Sequence, residues 1–153
     1  MGISEDIKQE KFKSELSKAI INIIYTNGWL QQSQVNLFKP HGLTTPQYNV
    51  LRILRGQHPK PATINLLIDR MLDKSSNASR IVDRLESKGL VDRKQCSGDR
   101  RAVDVFISSR GLELLKKIDE ELEEWESGLN TLSETDCKTL SDLLDKLRSK
   151  SQL

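Results

Sequence analysis

The sequence predicts a mainly α-helical fold that contains one small β-hairpin. Apolar residues recur every three or four positions through most of the 153-residue chain, which is the period of an amphipathic helix. Between residues 103 and 108 the spacing changes, because aliphatic residues occupy every second position there, as they do on one face of a strand. The composition, 36% hydrophobic and 30% charged, is typical of a helix-rich chain with a large solvated surface.

The first predicted helix covers residues 4–38, and the second begins at residues 43–47. Pro40 and a following glycine separate the two helices. The second helix has a strong start signal, because Thr44 can cap it and Gln47 follows three residues later. The apolar stripe of the first helix consists of Phe12, Leu16, Ile20, Ile23, Ile24 and Leu30.

Two short helices are predicted at residues 62–71 and 75–88, after a loop that contains two prolines. A break at residues 72–74 separates them, and Gly89 is a natural stop for the second. The side chains expected to face the core are Ile64, Leu67, Ile68 and Met71 in the first, and Ala78, Ile81, Val82 and Leu85 in the second.

A hairpin and two further helices complete the chain. The hairpin covers residues 90–108 and has a charged, turn-rich tip at residues 96–101. Residues 110–150 form two helices, the last of which starts with a capping-box pattern at Ser133. These helices and the one at 4–38 carry more apolar surface than a small domain can cover. We therefore expect them to be the dimerisation helices of a homodimer.

Charge is distributed unevenly, although the net charge of the whole chain is only +2. Residues 70–110 contain ten Lys and Arg against six Asp and Glu, a net of +4. Residues 111–146 contain four Lys against eleven Asp and Glu, a net charge of −7. A basic middle beside an acidic segment suggests a polyanion-binding face. An ordinary solvated helix surface explains the same pattern, so charge alone does not decide.

Two short helices with a tight break, followed by a two-stranded ribbon, form a winged helix-turn-helix layout. The helix at 75–88 would lie in the major groove of double-stranded DNA, where all four base pairs can be distinguished. Arg80 could contact guanine or a phosphate, and the helix N-terminus would favour a phosphate near Ser75 and Ser76. The candidate DNA-binding residues of this region are Lys74, Ser75, Ser76, Asn77, Ser79, Arg80 and Arg84.

Two structural alternatives stay open for these residues. Residues 75–77 could serve only to cap the helix. The two arginines of the helix could instead form a surface network with Asp83 or Glu86.

The segment from residue 43 to about residue 115 resembles the MarR family of transcriptional regulators. The elements that carry the resemblance are Leu43 and Thr44 with Gln47, residues 80–85 followed by 88–91, and Asp99, Arg100 and Arg101 before a strand and a Gly-initiated helix. One departure is conservative: residues 107–109 read Ile-Ser-Ser where the family commonly has Leu-Thr.

The resemblance implies that residues 75–88 are the recognition helix and residues 90–108 the wing, within a DNA-binding part at 43–108. It also implies that Arg101, oriented by Asp99 and assisted by Arg100, reaches the minor groove. A charged hairpin turn with an internal salt bridge is the alternative for these three residues.

The predicted function is that of a sequence-specific regulator, more often a repressor in this family, on a pseudo-palindromic operator. A homodimer would place its recognition helices about one DNA turn, ~10 bp, apart. Other members bind small aromatic or anionic effectors where the dimer helices meet the winged domain. Tyr25, Trp29 and His41 fall in roughly that region. The alternatives are a winged-helix protein–protein scaffold and a thiol-based redox sensor that uses Cys96 or Cys137.

An enzyme is not expected, and neither a cofactor nor a metal is predicted. His41 and His58 are the only histidines, and neither has an acid or cysteine at a catalytic or zinc-ligand spacing. No apolar run approaches the ~20 residues that span a bilayer. The N-terminus lacks the apolar region of a signal peptide. We therefore expect a cytoplasmic protein without membrane association.

Overall fold

The computed structural model describes residues 2–95, 98 and 102–149. Its helices are α1 (Ile3–Asp6), α2 (Glu15–Phe38), α3 (Thr45–Gln57), α4 (Ile64–Arg70), α5 (Ala78–Ser87), α6 (Ser109–Gly128) and α7 (Glu134–Arg148). Its strands are β1 (Ala62–Thr63), β2 (Val91–Gln95) and β3 (Val103–Ile107), which form an antiparallel sheet in the order β1–β3–β2. The predicted fold class, mainly α with a small β-hairpin, is confirmed.

The predicted first helix is interrupted between α1 and α2. Residues 7–14 are not helical, and Lys8 has a φ of 53°, in the left-handed region that a helix does not use. The Ser14 side chain accepts a hydrogen bond from the backbone N–H of Ser17 at 3.0 Å and so caps the start of α2. The prediction of one helix over 4–38 is therefore wrong at its N-terminal end, and Phe12 lies outside the apolar stripe.

The corner between α2 and α3 follows the predicted stop and start signals. One turn of 3-10 helix, Lys39–His41, extends α2, and Gly42 then adopts a φ of 70° that favours glycine. Thr44 and Gln47 form a capping box at the start of α3. The helix boundaries at this corner are confirmed.

The helix predicted at 62–71 starts later than expected, because its first two residues belong to β1. Ala62 pairs with Val105 of β3, and the Thr63 side chain then caps α4 by accepting from the N–H of Leu66 at 3.2 Å. Pairing with a strand some forty residues away therefore overrides the helical pattern. The expectation that Ile68 faces the core is also wrong, since this side chain is 44% exposed.

The chain up to Lys116 forms one compact unit, whose core lies between α3, α4, α5, the sheet and the start of α6. Its largest fully buried side chains are Phe38, Val50, Leu51, Leu54, Leu67, Val82, Leu85, Val91, Val105 and Leu115. The ring of Phe38 stacks on that of Tyr48 with 4.1 Å between centroids, which joins α2 to α3. This core holds α5 and the base of the hairpin in a defined relation.

From Lys117 onward the chain forms a second unit, which comprises the rest of α6 and all of α7. Ser133 and Asp136 form the predicted capping box at the start of α7. No residue of α7 is buried, and its exposed apolar side chains are Leu140, Leu143 and Leu147. In the described part of the chain, no helix is long and apolar enough to cross a membrane.

Candidate nucleic-acid interface

The turn between α4 and α5 is organised by the carboxylate of Asp73. This carboxylate accepts hydrogen bonds from the backbone N–H and the hydroxyl of Ser75, at 2.9 and 2.6 Å, and from the Ser76 hydroxyl at 2.8 Å. The bond from the Ser75 side chain, followed by those from the Ser76 side chain and the Ser75 backbone, holds the pKa of Asp73 below its ordinary value. The two serines therefore lie in a turn that a charged carboxylate stabilises.

The helix predicted to be the recognition helix begins three residues later than the sequence indicates. The side-chain oxygen of Asn77 accepts a hydrogen bond from the backbone N–H of Arg80 at 3.1 Å, which makes Asn77 the N-cap and Ala78 the first helical residue. The bounds of 75–88 are therefore corrected to Ala78–Ser87, because the side chain of Asp73 keeps the preceding serines in a turn. At the other end, Gly89 has a φ of 71°, as a helix stop requires.

Lys74 does not present a free cation in this structure. Its ammonium group donates to the backbone carbonyls of Ile68 and Asp69, at 3.0 and 2.5 Å. These carbonyls belong to the last turn of α4, where a cation also interacts favourably with the helix dipole. The contact that Lys74 makes within the protein is therefore the capping of α4.

The outer face of α5 carries two exposed arginines. Arg80 and Arg84 are both solvent-exposed, as is the neighbouring Ser79. Among the residues that the structure describes, neither guanidinium group forms a hydrogen bond or an ion pair. The predicted alternative, a surface network with the acids of the same helix, does not form, because Asp83 and Glu86 face a different cation.

That cation is Arg93 on β2. Its guanidinium group forms an ion pair with Asp83, and its Nε lies 3.7 Å from a carboxylate oxygen of Glu86. It also donates to the backbone carbonyl of Ser79 at 3.4 Å. From the sequence, Arg93 counts only among the basic residues of the helix and wing that favour DNA binding, and no individual role is predicted for it. The sequence feature that indicates this contact is the pair of acids three residues apart on α5, which shortly precedes a strand that carries an arginine.

The predicted wing is described at its base, and only Gly98 is described at its tip. β2 and β3 pair over five residues each, from Val91 opposite Ile107 to Gln95 opposite Val103. The predicted minor-groove residues Asp99, Arg100 and Arg101 lie outside the described residues, so their assignment stays a prediction. Cys96 lies outside them as well.

A cavity of about 430 Å³ lies between α2, the start of α3 and the turn before α5. Its lining residues are Gln31, Val35, Lys39, Leu43, Thr44, Thr45, Pro46, Asn49, Leu72 and Asp73. The hydroxyl oxygen of Thr45 is buried and has no hydrogen-bond partner in the described structure. Such an atom commonly has a bound water or ligand as its partner. The walls combine apolar side chains with a cation at Lys39 and a carboxylate at Asp73.

The predicted effector residues do not line this cavity. Tyr25 is 46% exposed and Trp29 54% exposed, on α2, while His41 is half-buried at the corner before α3. Their assignment as effector contacts stays a prediction. Cys137 is exposed in the first turn of α7. Among the described residues, no group of three His, Cys, Asp or Glu side chains is arranged to hold a metal ion.

Comparison with known proteins agrees with this architecture. Residues 41–102 match the model of the MarR family. The HTH-type transcriptional regulator MhqR of Bacillus subtilis is 29% identical over 108 residues, which cover 70% of this chain and 73% of MhqR.

Solved structures share the fold over most of the chain. A MarR transcription factor from Planctomyces limnophilus superposes with a TM-score of 0.69 at 29% identity, covering 88% of this chain and 98% of that one. MepR of S. aureus in complex with DNA superposes with a TM-score of 0.73 at 20% sequence identity, and the match covers 92% of this chain and 98% of MepR. The organohalide-sensing regulator RdhR, in its 2,4-dichlorophenol-bound form, superposes with a TM-score of 0.79 at 18% sequence identity. The match covers 94% of this chain and 87% of RdhR. Residues 41–102 are therefore similar to the MarR family of transcriptional regulators, and the chain shares the winged-helix fold of solved MarR-type regulators.

Proposed function

We propose that this protein is a sequence-specific repressor that binds a pseudo-palindromic operator as a homodimer. The observation that carries the proposal is the exposed pair Arg80 and Arg84 on the outer face of α5, with no ion-pair partner among the described residues. Nearby cations are engaged within the protein, Lys74 by α4 and Arg93 by the acids of α5. The two free guanidinium groups are therefore the cations of this helix that can meet DNA.

The position of Arg80 favours base recognition. Its backbone N–H is fixed by the N-cap Asn77, so the side chain leaves the first turn of α5, the part of a recognition helix that contacts base edges. A guanidinium group can donate two parallel hydrogen bonds to guanine. Arg84 lies one turn further along the helix and fits a phosphate contact.

Binding-site selection from a randomised duplex library tests this assignment. Wild-type protein should enrich a pseudo-palindrome with half-sites about 10 bp apart centre to centre. Arg80→Ala should relax the preference at one half-site position by ~1–3 kcal/mol, about 5–150-fold. Arg148→Ala, an exposed arginine on α7, is the matched control and should leave the preference unchanged.

A loss of affinity by Arg80→Ala that is equal for all sequences would mean that Arg80 contacts only phosphate. Failure of the wild-type protein to enrich any duplex would favour the scaffold alternative. Repression is tested separately, by placing the selected site at a promoter with and without the protein. Increased transcription in the presence of the protein would identify an activator instead.

The homodimer is supported by the apolar face that α2 exposes in the single chain. Leu16 is 59% exposed, Ile20 42% and Ile24 66%. An exposed stripe of this size on a helix of 24 residues typically marks a protein interface. A second copy would also double the number of recognition helices, and linkage of two half-sites raises the overall affinity.

Introducing a charge into this stripe should separate the subunits without unfolding them. Ile20→Glu together with Ile24→Glu replaces side chains that contribute little to the core of the single chain. Sedimentation should then detect monomers, and operator affinity should fall steeply. Asn22→Glu adds the same residue to the opposite face of α2 and should stay dimeric. A dimeric double variant would contradict this interface.

We further propose that a small effector with an aromatic ring and a polar group enters the cavity beside Thr45 and releases DNA. The apolar walls suit a ring, while Lys39 and the unpaired Thr45 hydroxyl suit an acidic or phenolic oxygen. The cavity also includes Leu72 and Asp73 of the turn that leads into α5. An occupant would therefore act on the start of the recognition helix.

A panel of substituted phenols and benzoates tests the effector proposal by thermal shift and by release of labelled operator DNA. The RdhR structure with 2,4-dichlorophenol makes this compound a suitable first probe. Coupling of ~1–3 kcal/mol, about 5–150-fold in DNA affinity, is the expected size. Val35→Trp should block the cavity and abolish release. Release by oxidants only, abolished by Cys96→Ser or Cys137→Ser, would support the thiol-sensor alternative instead.

A further inference from the structure

Arg93 joins the predicted wing to the acidic side chains of α5. It is the third residue of β2, and its guanidinium group reaches α5 at Ser79, Asp83 and Glu86. These positions span two turns of the helix. The Arg93 side chain is only 30% exposed, compared with 60% for Asp83 and 46% for Glu86. Arg93 is therefore the least exposed of the three side chains.

The charges of α5 require such a partner if the helix is to approach DNA. Ala78–Ser87 contains two arginines and two acids, so the helix alone carries no net charge. A carboxylate near the phosphate backbone opposes binding, because like charges repel across a weakly hydrated interface. Arg93 supplies the positive charge that offsets one of the acids and reduces the field of the other.

Arg93 also determines which cations stay free. Without it, the nearest arginine to Asp83 on its own helix face is Arg80, three residues earlier and at a spacing that favours an ion pair. Arg80 would then face two competing partners, Asp83 and DNA. The ion pair from β2 removes that competition.

We propose that Arg93 is a positioning residue for DNA binding, which masks Asp83 and Glu86 so that Arg80 and Arg84 face the DNA. Arg93 itself makes no base or phosphate contact in this mechanism. The same ion pairs hold the base of the wing against α5, so that the helix and the wing meet the DNA in one orientation. The inference rests on the proposed DNA-binding function, but its test separates the two.

A mutant cycle tests the proposal on full-length protein and a duplex selected by the wild type. The variants are Arg93→Gln, the double variant Asp83→Asn with Glu86→Gln, and the triple variant that combines all three changes. In the wild-type background, Arg93→Gln should weaken binding about 10-fold or more, within the range of coupled charge pairs. In the background that lacks both acids, the same change should weaken binding less than about threefold, because nothing remains to be masked.

Salt dependence distinguishes masking from a direct phosphate contact. Arg93→Gln should leave the slope of log affinity against log salt near the wild-type value, whereas Arg84→Gln should reduce it by about 0.9. An equal loss in both backgrounds, or a slope reduced by about 0.9 in Arg93→Gln, would mean that Arg93 contacts DNA directly and would overturn the proposal. The proposal would also be overturned if Arg93→Gln bound DNA with the same affinity as the wild-type protein.

Two controls keep the outcomes separable. If Arg93→Gln does not fold, Arg93→Lys retains the charge but loses the planar guanidinium, and it should bind with intermediate affinity that again depends on the acids. Wild-type affinity of this lysine variant in both backgrounds would count against positioning by the guanidinium. Failure of the wild-type protein to select any DNA would refute the proposed function, whereas the Arg93 result depends only on the differences among variants.

Discussion

Gly111 offers a direct test of how the start of α6 is packed on the base of the wing. A Cβ atom at this position would lie 2.4 Å from the carbonyl oxygen of Leu90 and 2.7 Å from Cγ1 of Ile107. The Leu90 carbonyl already accepts a hydrogen bond from the N–H of Ser108 at 3.0 Å. The Leu90 N–H in turn donates to the carbonyl of Leu85 at 3.0 Å. The Leu90 backbone therefore cannot move without disturbing its hydrogen bonds to Ser108 and to Leu85 of α5.

The expected magnitude follows from two opposing terms. Replacing a helical glycine by alanine stabilises a helix by about 1 kcal/mol. Overpacking a buried contact costs about 1–3 kcal/mol, and the upper end applies here because the obstacle is backbone rather than a flexible side chain. Gly111→Ala should therefore lower the free energy of unfolding by about 2 kcal/mol, or the melting temperature by roughly 4–8 °C for a chain of this size.

The matched control is Gly28→Ala, in the middle of α2. Within the single chain, no side chain or other segment lies within 4 Å of the Cβ position there, so no overpacking in the monomer opposes the helix-propensity gain of about 1 kcal/mol. Thermal and urea unfolding of both variants, at one protein concentration, measures the difference. If Gly111→Ala were as stable as Gly28→Ala, α6 could not begin against Leu90 and Ile107 as described.

Three further outcomes follow from the site. Lys74→Met should lower stability because it uncaps α4, yet it should change the salt slope of DNA binding less than Arg84→Met, since the Lys74 ammonium is engaged. The lowered pKa of Asp73 means that its contribution to stability is complete above the ordinary value of 3.8 and is lost as pH falls through the lowered pKa. The stability difference between wild type and Asp73→Asn should therefore shrink in acid unfolding experiments below that pH. Arg101→Ala should weaken binding most on sites with A·T-rich flanks, where a narrow minor groove attracts arginine, and a titration against duplexes with different flanks measures this.

The sequence alone determined the features that depend on neighbouring residues. The capping boxes at Thr44 and Ser133 are formed by side chains within three residues of the helix start, and the stop at Gly89 requires only a left-handed φ. Local motifs between residue 43 and about residue 115, among them those at Thr44 and Gly89, also carry the resemblance to the MarR family, which the comparisons support. Local chemistry is sufficient for these features, because each interaction closes within one turn of helix.

Only the tertiary structure decided the features that join distant segments. Ala62 belongs to a strand because Val105 pairs with it, although its own sequence reads as helix. Three cations that look alike in the sequence differ in the fold: Lys74 caps α4, Arg93 binds the acids of α5, and Arg80 faces solvent. Whether a cation is free to bind DNA depends on the carbonyls and carboxylates that other helices and strands place beside it. The periodicity of the sequence does not encode the distances between residues of different elements.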